Sequence, residues 1–166
     1  MSVKFVKLVV AEEFPDDPFR KFTPFSTSET ISNHVLPIVQ TTFAIEIKVL
    51  SAHRDPESVH DFSLNARSNG YKIIIGAAGM AAHLAGAIKA NTTLPVIGVP
   101  LEGGILTGLD SLLSTLQMPK GVPVATMTVG KSGAINAAIL SAEILALSDE
   151  SIGKKLIEFK ENGAKL

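Results

Sequence analysis

Short apolar, β-branched runs alternate with capped helical segments along most of this chain, and that alternation restricts it to folds in which helices cover a mainly parallel sheet. The clearest unit begins at residues 44–50, where Ile45, Ile47 and Val49 alternate with Glu46 and Lys48 in the period-two pattern of a strand near a sheet edge. It delivers the chain to Ser51-Ala52-His53-Arg54-Asp55-Pro56-Glu57. Asp55 reads as an N-cap and Pro56 as the first helical residue, which aims the free N–H groups of the helix back at the loop, where an anion could sit. Loops leaving the carboxyl ends of strands are where open α/β sheets bind ligands, so Ser51, His53 and Arg54 are candidates for chemistry. On this segment alone, ordinary loop residues are an equal alternative.

The same grammar recurs on both sides. Residues 3–10 read as a first strand, and residues 11–27, with Pro15, Pro18 and Pro24, as a long loop of a length unusual inside a compact domain. Ser26-Thr27-Ser28-Glu29 fits a capping box that opens a helix with Ile31, Val35, Leu36 and Val39 on one face. After Pro56 a helical stripe of Val59, Phe62 and Ala66 ends at Asn69-Gly70, with His60 off the stripe and solvated. Residues 72–75 form a compact strand, followed by Gly76-Ala77-Ala78-Gly79-Met80-Ala81-Ala82-His83-Leu84-Ala85-Gly86, a small-residue turn and helix start. Its spacing is not a dinucleotide fingerprint, and tight helix-to-sheet packing explains the alanines as well as a ligand does.

Residues 94–99 are a fourth strand ended by Pro100, with a flexible turn at Leu101-Glu102-Gly103-Gly104. Thr107 or Asp110 would cap the next helix, which carries Leu112, Leu113 and Leu116. Residues 122–129 form a fifth strand, and Gly130-Lys131-Ser132-Gly133 leads into an Ala-rich helix reaching about Leu147. Ala125 stands where a phosphate loop requires its first glycine, which excludes that motif. A last helix from Asp149 places Ile152, Leu156 and Phe159 on one stripe that docks on the core or on another subunit.

Composition narrows the partners. Fifteen basic and sixteen acidic residues give a net charge of −1 without a long block of either sign, so the electrostatic footprint of a nucleic-acid binder is missing and a small molecule is expected. With no cysteine there is no disulfide framework or thiolate metal site, which fits a reducing compartment. The longest apolar stretch, residues 73–88, is broken by Gly76, Gly79, His83 and Gly86 and is shorter than the roughly 20 residues of a membrane helix. The N-terminal apolar run is too short for a signal peptide before Glu12 and Glu13. A cytoplasmic protein of one domain is the expectation, since 166 residues suit a single core.

Four separated motifs now combine: Ser51-Ala52-His53-Arg54; Gly79-Met80-Ala81-Ala82-His83-Leu84; Thr92-Thr93-Leu94-Pro95-Val96-Ile97-Gly98-Val99-Pro100; and Gly108-Leu109-Asp110-Ser111-Leu112-Leu113. Together with Gln117-Met118-Pro119, Gly121-Val122-Pro123-Val124-Ala125 and Gly130-Lys131, they resemble the class I PurE family, the 5-(carboxyamino)imidazole ribonucleotide mutases of purine biosynthesis, over about residues 45–147. The resemblance implies a flavodoxin-like three-layer αβα sandwich, a homo-octamer with sites at subunit boundaries, an imidazole ribonucleotide as substrate, and no metal or organic cofactor. It also implies roles. His53 matches the family's catalytic histidine and is expected to act as general acid/base. Ser51, Ala52 and Arg54 match its phosphate-binding loop, while Ala78, Gly79, Ala81, Ala82, His83 and Leu84 match the segment that closes over the imidazole and carbon dioxide. In this reading residues 1–166 are one PurE-like domain, residues 11–25 are an insertion, and the helix of residues 149–166 lies between subunits.

The first loop departs from the family. Class I members carry Met-Gly-Ser-x-Ser-Asp directly after the first strand, and the nearest equivalent here is Pro24-Phe25-Ser26-Thr27-Ser28-Glu29. Ser26, Ser28 and Glu29 are the substrate-binding candidates of that stretch, with Phe25 in place of the glycine and Glu29 in place of the aspartate. Met80 and Ala85 stand where glycine and proline are common. A carboxylase that takes aminoimidazole ribonucleotide and free carbon dioxide, and a non-catalytic nucleotide-binding paralogue, are the alternatives to a mutase.

Overall fold

The computed structural model describes residues 5–10 and 44–164. Its elements are β1 (Phe5–Val10), β2 (Ala44–Val49), α1 (Pro56–Asn65), β3 (Tyr71–Ala78), α2 (Leu84–Ala90), β4 (Val96–Pro100), α3 (Leu109–Leu116), β5 (Ala125–Thr126), α4 (Lys131–Ala146) and α5 (Glu150–Glu161). The strands form one parallel sheet in the order β2-β1-β3-β4-β5, the doubly wound order of a flavodoxin-like α/β fold. β2 is the edge strand its alternation predicted, with Ile47 and Val49 40% and 49% exposed on one face. The insertion of residues 11–25 and the expected helix with Ile31, Val35, Leu36 and Val39 lie outside the described residues.

Alternation along the central strands divides the core in two. Ile73, Ile75 and Ala77 of β3 join Ile97 and Val99 of β4 beneath α4. Ile74 and Ala78 face the other way, into a cluster with Val59 and Phe62 of α1, Ala66, and Leu84, Ala85 and Ile88 of α2. Apolar side chains on both faces are what a strand covered by helices on both sides requires. The stripe of Val59, Phe62 and Ala66 is buried as its spacing implies, and Gly70 has the left-handed φ of +88° expected of the stop after it. Ile152 of α5 belongs to the cluster beneath α4, and Leu156 packs against it, so the apolar stripe of α5 is covered by its own chain.

Several local readings need correction. β3 runs on through Gly76-Ala77-Ala78, which the sequence suggested as a turn, because all three residues pair with β4 and the first two also pair with β1. Gly76 is opposite Gly98 in that register, and the missing side chains let the helices come close. A methyl at Gly76 would sit 3.0 Å from the Ala85 Cα, and one at Gly98 would meet Val124 at 2.8 Å and collide with Thr115. β5 is two residues long rather than eight: Pro123 has no N–H to give, and the Val122 N–H is spent on a turn to the Pro119 carbonyl at 3.1 Å.

Helix α3 is capped and oriented by other residues than its sequence suggests. Neither Thr107 nor Asp110 caps it; Gly108, at φ +102°, is the N-cap, and the Asp110 carboxylate accepts from the Ser111 N–H at 3.0 Å. Ser111 and Thr115 face the sheet and are buried, while Leu109, Leu113 and Leu116 are 51%, 46% and 54% exposed. The buried hydroxyls are satisfied by carbonyls: Ser111 Oγ lies 2.7 Å from the Leu101 oxygen and 2.9 Å from that of Gly108, and Thr115 donates to the Ser111 oxygen at 2.8 Å. Short residues are needed above Gly98, and a hydroxyl bonded to its own helix is tolerable there.

The lone tyrosine reports on the edge of the sheet. Tyr71, at the start of β3, donates its hydroxyl to Glu46 of β2, reaching past β1, and its ring packs against Phe62 at 6.0 Å. Burial, and secondarily the bond to Glu46 and its charge, push the Tyr71 phenol up to about 12. A raised folded-state value means that the stabilisation is complete below about pH 10, the unfolded value, and is lost as pH rises through about 12. With one tyrosine and no tryptophan in the chain, phenolate absorbance reads this group directly. We expect a midpoint near 12 in the native protein and a partial return toward the ordinary value in Glu46→Gln, where burial remains; an unmoved midpoint would remove Glu46 as a cause.

Candidate active site

The loops after β2 and β3 leave the sheet on either side of β1, at the end where open α/β sheets bind ligands and next to the point where the strand order reverses. The first runs from buried Leu50 through half-buried Ser51 and Ala52 to exposed His53 and Arg54. It is closed by the Asp55 N–H, which donates to the Ser51 carbonyl at 2.9 Å. α1 begins there because the Asp55 carboxylate accepts from the Ser58 N–H at 3.1 Å and Pro56 occupies the first turn, as the sequence indicated. The Ser58 side chain and N–H, with Lys48 nearby, hold the Asp55 carboxyl below its ordinary value. This carboxylate takes one free donor of the helix end and Pro56 has none to offer, so fewer N–H groups of that end are left for an anion.

The second loop, residues 79–83, is held by its ends. Ala78, Ala82 and Leu84 are buried in the core beneath α1 and α2, so what they present to a ligand is backbone. Gly79 is half-buried, and Met80, Ala81 and His83 are exposed. The Ala82 N–H closes a tight turn onto the Met80 carbonyl at 2.9 Å. Met80 pays a conformational cost there, at a left-handed φ of 54°, which accounts physically for glycine being the easier residue at this position.

The tertiary fold brings the two histidines of these loops together. The rings of His53 and His83 lie 5.1 Å apart, centre to centre, tilted by 59°. His60, by contrast, is exposed beside Asp61, away from this pair in the body of α1. Ser26, Ser28 and Glu29 lie outside the described residues. Among the described residues no group of three or more histidine, aspartate or glutamate side chains is arranged to hold a metal ion.

A third loop, residues 101–108, was not recognised from the sequence as part of this region. The Leu101 N–H donates to the Ala78 carbonyl at 2.9 Å, and Gly104 lies against Met80, whose Cγ is 3.4 Å from where a Cβ would be. The signal available was a glycine cluster immediately after a strand, read only as a flexible turn. Gly130, after β5, donates its N–H to the Pro100 carbonyl at 2.9 Å and packs against Glu102, so Gly130-Lys131-Ser132-Gly133 serves close packing.

The AIR carboxylase family model matches residues 26–165. The chain belongs to this family. Like the site, the similarity to individual members is strong: the chain is 55% identical over 117 residues to the N5-carboxyaminoimidazole ribonucleotide mutase of Bacillus subtilis, covering 70% of this chain and 72% of the relative. The enzyme of the same name from Haemophilus influenzae is 51% identical over 116 residues, covering 70% and 71%. Among solved structures, PurE of Treponema denticola superposes with a TM-score of 0.76 at 22% identity, over 97% of this chain and 92% of that one, which shows the shared fold. The AIR carboxylase family match takes in Ser26, Ser28 and Glu29 and leaves out residues 1–25.

The Asp55 cap gives a pH test of how the first loop is held. Its lowered folded-state value means that the ionised cap stabilises α1 above the ordinary carboxylate range, near pH 4, and that this is lost as pH falls through the folded value. Urea denaturation should show Asp55→Ala less stable than wild type at neutral pH, with the gap narrowing in acid. A gap independent of pH would mean that the charge of Asp55 contributes nothing.

Proposed function

We infer that this chain is an N5-carboxyaminoimidazole ribonucleotide mutase of purine biosynthesis, with His53 as general acid and base. The observation that carries the reading is the pairing of His53 with His83 at the ligand-binding end of the sheet, in a chain about half identical to mutases of that name. Those relatives favour the mutase over a carboxylase using free carbon dioxide.

The reaction moves a carboxylate from the exocyclic nitrogen of the imidazole nucleotide to a ring carbon, and its proton count sets what the protein must supply. As the N–C bond breaks and carbon dioxide is released, the nitrogen takes a proton from the imidazolium of His53. The enamine-like ring carbon then attacks carbon dioxide, and neutral His53 removes the proton from that carbon, returning to its starting state. Imidazole, with an ordinary pKa near 6.5, suits a group that must give and recover one proton near neutrality. Arg54 and the Ser51 hydroxyl hold the 5′-phosphate with the Ala52 backbone, by charge-assisted hydrogen bonds. Backbone at Ala78, Gly79, Ala82 and Leu84, with Ala81 and His83, lies over the imidazole and keeps water from the released carbon dioxide. Ser26, Ser28 and Glu29 complete the ribose and phosphate contacts. No metal or organic cofactor is required.

In this reading the chain is one catalytic domain, working in the cytoplasm as a homo-octamer. Exposed apolar surface supports self-association: Ile105 is 94% exposed beside Leu106, and Leu109, Leu113 and Leu116 line the outer face of α3. Contiguous patches of this kind mark interaction sites rather than ordinary solvent-facing surface. A contact between subunits through α5 would use its outer face, where Ile157 is exposed.

Conversion of N5-carboxyaminoimidazole ribonucleotide to its ring-carboxylated isomer, assayed without ATP or added bicarbonate, tests the function. Wild type should turn over, and His53→Asn should lose at least about a hundredfold in kcat, the scale of a general acid/base contribution. Folded wild type that binds the nucleotide without turnover would favour a non-catalytic paralogue. Separately, light scattering should report an octamer for wild type and smaller species for Leu113→Glu; a monomeric wild type would remove the assembly from the reading.

A further inference from the structure

We propose that His83 is a positioning residue for His53, fixing the orientation of the catalytic ring through the face and edge of its own ring rather than through its nitrogens. The proposal rests on the reading of His53 as the acid and base. Its basis is an asymmetry in how the two histidines are held. His83 sits between Ala82 and Leu84, both buried in the core, and its carbonyl accepts the Ala87 N–H at 3.0 Å in the first turn of α2. His53 sits between half-buried Ala52 and exposed Arg54, on a loop whose fixed points, the Ser51 carbonyl and the Asp55 cap, lie on either side of it.

Among the described residues no hydrogen bond holds the His53 ring, and its ring contact is with His83, at 5.1 Å and 59°. That separation and tilt are within the range of attractive aromatic pairs, which favour an aligned ring by about two- to tenfold in population. Proton transfer needs the imidazole nitrogen within about 3 Å of the reacting atom, and small misplacements of a catalytic group cost up to about a hundredfold. A ring carried on an anchored backbone, set against a ring that no hydrogen bond among the described residues holds, therefore acts on the chemical step.

The test compares His83→Phe, which keeps a flat ring without nitrogens, with His83→Ala. We expect His83→Ala to lower kcat by about two- to tenfold with KM changed much less, and His83→Phe to recover most of the loss. In the unliganded protein, the ring-proton resonances of His53 should shift on His83→Ala, as the neighbouring ring current disappears, and shift less in His83→Phe. Equal losses in both variants, or a rise in KM with kcat unchanged, would assign His83 to polar contact with substrate and overturn the proposal, as would His53 resonances that ignore His83→Ala. If wild type lacks turnover the mutase reading fails, while the resonances still decide whether His83 holds the His53 ring.

Discussion

β3 is paired along both edges and buried on both faces, and the rest of the architecture depends on that double constraint. A strand in this position can present only apolar side chains, or none, to the helices above and below it. Ile73, Ile75 and Ala77 meet one helical layer, and Ile74 and Ala78 the other. Gly76, beside Gly98 of β4, provides the bare patch on which α2 and α3 settle. That close approach carries Leu84 into the core and sets where His83 emerges from it.

The same crowding explains the unusual face of α3. Above Gly98 there is room for Ser111 and Thr115 but not for leucine, and both hydroxyls find carbonyl partners nearby. Leu109, Leu113 and Leu116 of that helix turn outward. A period-3.6 pattern identifies an apolar face, but the pattern carries no information about whether the neighbour lies in the same chain or in another. For α5 the identical kind of stripe is covered internally by the cluster beneath α4.

Much of the candidate site was legible because its parts are local. The cap at Asp55, the proline after it and the strand before it define a loop from neighbouring residues alone, so Ser51, His53 and Arg54 could be placed at the end of an edge strand without coordinates. The small residues of Gly76-Ala77-Ala78 were less legible, since close packing and a ligand turn both favour glycine and alanine. The short β5 was overread because apolar content does not reveal which N–H groups are spent on a turn. The contact of residues 101–108 with Met80 was not legible because it joins segments far apart in sequence.

The sequence by itself determined the alternation of strands and helices, the edge position of β2, the start of α1 and the resemblance carried by four motifs, because each depends on period, capping chemistry or residue identity at short range. Only the tertiary structure decided that α3 shows its leucines to the outside, that α5 folds back onto its own core, and that His53 and His83 meet at 5.1 Å. Those outcomes depend on volumes and distances between layers, set by which side chains are missing at Gly76 and Gly98, and such long-range geometry has no periodic signature in the chain.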